Sequence, residues 1–78
     1  MPTVERFKGF RFFFFSDERR EPPHIHVESA ENYAKFWLKP VALAESGGFH
    51  SAELTKLRKL VEERKERFLE EWNEYFDR

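Results

Sequence analysis

The sequence has no cysteine. That absence excludes a disulfide framework, a thiolate nucleophile and any metal site built on sulfur. Three glycines and four prolines in 78 residues form no phosphate-binding glycine fingerprint and leave no linker that would divide the chain. No apolar run approaches the roughly 20 residues a helix needs to cross a bilayer, so no membrane partner is expected. Neither sign of charge dominates: 14 Lys and Arg stand against 15 Asp and Glu, a net charge of −1. Contact with nucleic acid would have to come from a local patch, not a global field. Met1-Pro2-Thr3-Val4-Glu5-Arg6 shows no basic region leading into an apolar one, so no signal peptide is expected, and the expectation is a cytoplasmic protein.

Aromatic side chains are abundant, with ten Phe, two Trp and two Tyr. Each buried aromatic removes roughly 150–250 Å² from water. That matters at this size, because a chain this short buries only about 60% of its unfolded surface. Residues 1–78 read as a single domain, with a β-sheet half at 1–46 and a helical half at 50–77.

The β half is read from period-two patterning. Strands are expected at 3–7, 10–15, 24–28 and 33–38, with a short edge strand at 41–44. Lys8-Gly9 and Ser29 to Asn32 are turns, and Ser16 to Glu21 is a charged loop. Gly47-Gly48 separates the halves, and Ser51 is placed to cap a helix with Glu53 in its first turn. Leu54, Leu57, Val61, Phe68, Trp72 and Phe76 then recur at helical spacing. One helix of about 26 residues would be roughly 39 Å long, so either it breaks near 64–67 or, as one continuous helix, its second half leaves the body and packs on a partner. Glu63 and Arg67 are spaced for a favourable i,i+4 pair. Strands first and helix last give an α+β fold: a small antiparallel meander sheet of four or five strands packed on a long, bent C-terminal helix. The helix end, Phe68, Trp72, Tyr75 and Phe76, needs a cover and is a candidate partner-binding stripe.

Parity nominates a site. Phe10/Phe12/Phe14, Ile25/Val27 and Ala34/Phe36/Leu38 form the core face. The opposite face then carries Arg11, Phe13, Phe15, His24, His26, Tyr33, Lys35 and Trp37. Three readings compete. Clustered aromatics suit a subunit or partner interface. Alternatively, Tyr33 and Trp37 stack on RNA bases while Arg11 meets phosphate, and His24 and His26 with Lys35 act in acid–base catalysis, since imidazole titrates near neutrality. The third reading is a divalent metal on His24 and His26, with Glu28 or His50 completing the set. No cofactor is otherwise implied. Both imidazoles are expected to be removable without loss of the fold.

Gly9-Phe10-Arg11-Phe12-Phe13-Phe14-Phe15-Ser16, Pro22-Pro23-His24-Ile25-His26-Val27, Ala34-Lys35-Phe36-Trp37-Leu38 and Glu71-Trp72-Asn73-Glu74-Tyr75-Phe76 resemble the small bacterial domain-of-unknown-function family 4160. The resemblance implies a stand-alone protein encoded beside another small protein, in gene pairs similar to toxin–antitoxin modules. It also implies the toxin-like role for this component, with a cognate small partner protein. The combined expectation is a toxin-like protein acting on RNA through the histidine face. The alternative is a non-enzymatic interaction module that binds a partner or itself as a homo-oligomer.

Overall fold

The computed structural model describes residues 3–15 and 20–76. Its elements are β1 (Thr3–Phe7), β2 (Phe10–Phe13), β3 (His24–Ser29), β4 (Asn32–Leu38), β5 (Val41–Gly47), α1 (Ser51–Glu63) and α2 (Lys65–Phe76). The strands form one antiparallel sheet in the order β1-β2-β3-β4-β5. This is the expected α+β meander, with the helices after it. Lys8 and Gly9 have φ of 50° and 82°, the two positive angles of the hairpin turn whose twist matches its strands. Part of the charged loop expected at 16–21 lies outside the described residues.

β3 and β4 each extend one residue into the expected turn, to Ser29 and from Asn32, and two other strands differ more from expectation. β5 runs on to Gly47 instead of stopping at Ala44. β2 ends at Phe13, because Phe14 leaves the ladder to pack its ring among Trp72, Tyr75 and Phe76, 5.5 Å from each. At the β5–α1 junction Gly48 has φ of +90°, and a Cβ there would collide with the Asn32 side chain. That position admits only glycine without rearrangement.

The core lies between sheet and helices. Phe12, Ile25, Val27, Ala34, Phe36 and Leu38 from the sheet meet Leu57 and Val61 of α1 and Phe68, Trp72 and Phe76 of α2. Phe10, expected in that set, is only half-buried and rests on Phe49 at 6.1 Å. The cap of α1 is His50 and not Ser51: His50 keeps an extended backbone, and its N–H donates to Glu53 Oε1 at 3.0 Å. Ser51 is already helical, its carbonyl accepting from Thr55 Oγ1.

The helices meet at Arg64, and the hydrogen-bond ladder runs through the bend. The Arg64 N–H is shared between the Leu60 and Val61 carbonyls at 3.2 Å, and Phe68 N–H donates to the Arg64 carbonyl. With no Gly or Pro there, the Arg64 side chain marks the bend. It donates from Nε to Glu5 Oε2 at 3.0 Å and lies 4.0 Å over the Phe7 ring. Arg67 takes the other Glu5 oxygen at 2.7 Å instead of pairing with Glu63. The bend thus docks α2 on β1 through one carboxylate. No helix among the described residues is long and apolar enough to cross a membrane.

Candidate functional site

The sheet register assembles the face that parity nominated. His24 lies opposite Trp37, His26 opposite Lys35 and Phe13, Glu28 opposite Tyr33 and Arg11. Ile25 and Val27 alternate to the helix side. The six nominated site residues Arg11, His24, His26, Tyr33, Lys35 and Trp37 are therefore neighbours on three adjacent strands.

The histidines are not solvent-facing. His24 is 0% exposed and His26 3%. The His24 ring meets Trp37 edge-on at 5.7 Å and Trp72 of α2 at 4.8 Å, so the second helix reaches around to the first histidine. Its Nδ1 lies 2.9 Å from the Pro22 carbonyl. A carbonyl only accepts, so Nδ1 carries the proton. His26 is flanked by stacked rings, Phe13 at 5.3 Å and Tyr33 at 5.9 Å, with Phe15 edge-on at 4.8 Å. Its Nδ1 is 3.0 Å from Tyr33 Oη, which donates its own proton to Glu45 Oε1 at 3.0 Å. The hydroxyl therefore accepts from His26 Nδ1–H. In the neutral form both rings carry the lone pair on Nε2, and the two rings stand 5.0 Å apart and nearly perpendicular.

Both nominated cations are closed onto carboxylates. Arg11 donates to Glu28 at 2.7 Å and to Thr3 Oγ1 at 2.9 Å, and lies 4.4 Å over Phe13. Lys35 Nζ is 2.6 Å from Glu21 and 4.7 Å over Trp37. The two side chains are only 15% and 12% exposed.

A family model described as Domain of unknown function (DUF4160) matches residues 9–73. The chain belongs to this family. The match covers β2 to β5, α1 and most of α2, and so contains all six residues of the face. No curated protein and no solved structure matches the chain.

In this DUF4160 chain, sequence reading found the ring systems and the cations but missed their counterions. Glu21 sits in a loop, where no periodicity assigns a direction. Glu45 was hidden by a β-bulge. The β4–β5 register passes from Phe36↔Leu43 to Lys35↔Glu45, leaving Ala44 extra and putting Leu43 and Glu45 on opposite faces. Spacing assigns Trp72 to the helix stripe, and only the fold brings it to His24. The candidate partner-binding residues Phe68, Trp72 and Phe76 are buried in the chain's own core, and Tyr75 is half-buried beside Phe14. Phe68 packs on Phe12 at 5.3 Å, so the sheet itself supplies the cover that stripe requires.

As for chemistry, a fixed Nδ1–H on each ring is the arrangement that orients a histidine for base or ligand duty at Nε2. Among the described residues, though, no group of three His, Asp or Glu is placed to hold a metal ion. Glu28, a nominated third ligand, bonds Arg11, and His50 stands at the start of α1.

Proposed function

We infer that this DUF4160 protein works by binding another protein, as one component of a two-protein bacterial module of the toxin–antitoxin type, through the outer face of its sheet. The observation that carries this reading is the closure of Arg11 and Lys35 onto Glu28 and Glu21 at 2.7 and 2.6 Å. A phosphate chain binds by displacing mobile counterions from exposed Lys and Arg. Here it would first have to break two charge-assisted pairs whose cations are largely covered. Partly exposed Trp37 and Tyr33 and exposed Phe15, on a face whose two cations are already paired, are instead the composition of a protein-binding patch. His24 and His26 then serve as buried members that hold the face in shape. The partner in this reading is a small protein encoded by the neighbouring gene.

The test is co-expression of that neighbour-encoded protein with the wild type and with Trp37→Asp. A stoichiometric complex on size exclusion, lost in the variant at unchanged helical circular dichroism, is the expected result. Failure of the wild type to form any complex would overturn the reading.

One observation favours the rival, a toxin-like enzyme acting on RNA. The hydrogen bonds at Nδ1 of both imidazoles leave the Nε2 lone pair for proton transfer, as a general base requires. That reading predicts growth arrest on induction of the wild type, abolished by His26→Gln. Absence of arrest, or arrest that persists in the variant, counts against it.

A further inference from the structure

The two edges of the sheet are not alike. β1 carries Glu5 and Arg6 in five residues, and two arginines from the helix bend reach over it to the Glu5 carboxylate. Charges and crowding are what keep a sheet edge from recruiting another strand. β5 has seven residues, one charge and no proline. It is exposed from Leu43 to Gly47, and Leu43 is 43% exposed, which is high for a large apolar side chain. It is the last strand of the sheet, and among the described residues its backbone hydrogen bonds run to β4 alone. Half of its N–H and C=O groups therefore point outward along the open edge.

Resting on the protein-binding reading above, we propose that the partner docks by adding an extended strand to the free edge of β5, with an apolar residue beside Leu43 and a Lys or Arg beside Glu45. The bulge at Ala44 sets that pattern. Leu43 pairs with Phe36 on the helix side, whereas Glu45 pairs with Lys35 on the outer face. An added strand would thus cover Leu43 with one residue and answer Glu45 with another of opposite parity. Ala42 is paired with Trp37 of β4, so the strand's outer side chains would extend the aromatic face. Main-chain pairing supplies affinity in this mode, and alternate side chains supply selectivity.

Charge decides between a foreign strand and a second copy. Two-fold pairing of β5 with itself is antiparallel. Registers that pair five or more residues are centred on Leu43, Ala44 or Glu45, and they put Glu45 opposite Val41, Leu43 or another Glu45. None offers it a cation. A basic residue on a different chain does.

The experiment is amide hydrogen exchange on the free protein and on its complex with the neighbour-encoded protein, with affinities measured for wild type, Trp37→Asp and Glu45→Lys. In the complex, the outward amides of residues 41–47 should slow at least tenfold, and Glu45→Lys should weaken binding at least tenfold with helical circular dichroism unchanged. A complex that forms, depends on Trp37 and leaves β5 exchange unchanged would overturn the edge proposal while sparing the face. No complex at all would overturn both. Protection of β5 in the free protein together with a sedimenting dimer would assign the edge to a second copy and overturn the proposal.

Discussion

The two faces of this sheet are held by different physics. The helix face is hydrocarbon: Phe12, Ile25, Val27, Ala34, Phe36 and Leu38 are buried against Leu57, Val61 and Phe68, and any well-fitting set of similar volume would serve. The outer face is built from named pairs: Arg11 with Glu28, Lys35 with Glu21, His26 with Tyr33 and Glu45, His24 with the Pro22 carbonyl. Burial of apolar area on the first face supplies most of the stability. The second face contributes less per contact but fixes the position of each aromatic ring. The proposed protein-binding role rests on that arrangement: both cations of the outer face are paired, and the Trp37 and Tyr33 rings stay partly exposed.

Substitutions on the two faces should separate in size. The largest effect is expected from Phe36→Ala, which leaves a cavity at the centre of the helix face. A loss of about 3–5 kcal/mol in urea unfolding is expected, most of the stability of a domain this small. His24→Ala comes next, at about 2–3 kcal/mol, because it removes a fully buried ring packed on Trp37 and Trp72 together with its bond to Pro22. A loss under about 0.5 kcal/mol would return the histidine to the class of dispensable surface groups. Glu5→Gln should cost about 1–2 kcal/mol by weakening both arginine bonds at the helix bend. Faster amide exchange near Arg64 would locate that loss at the bend. Lys35→Met, which deletes the ammonium held by Glu21 over the Trp37 ring, should cost about 1 kcal/mol in the same unfolding assay.

The sequence carries the helix face and the meander openly, because both follow from periodicity. Alternation placed Ile25, Val27, Ala34, Phe36 and Leu38 together, and helical spacing placed Leu57, Val61 and Phe68 against them. It also brought Arg11, His24, His26, Tyr33, Lys35 and Trp37 onto one face. It could not show that the imidazoles are covered. Parity names a face, but cover comes from whatever folds across it: Phe15 beside His26, and Trp72 arriving from the far end of the chain beside His24. The expectation that both imidazoles are removable without loss of the fold rests on solvent-facing rings, and the rings are buried. Arg67 shows the same limit from another side. Its local partner Glu63 is visible in the sequence, but Glu5 is 62 positions away and becomes a neighbour only once the helix lies on the sheet. The bulge at Ala44 is a third case, since one extra residue reverses parity and no residue type there announces it.

The most direct measurement is fluorescence anisotropy of a labelled single-stranded RNA titrated with the wild type at low and at moderate salt. The account predicts no binding up to tens of micromolar (about 6–7 kcal/mol on the affinity scale) at either salt, because the cations beside the histidines are already paired. Micromolar binding that weakens with salt and disappears in Lys35→Met would contradict it, and would make the outer face a site for phosphate rather than for protein.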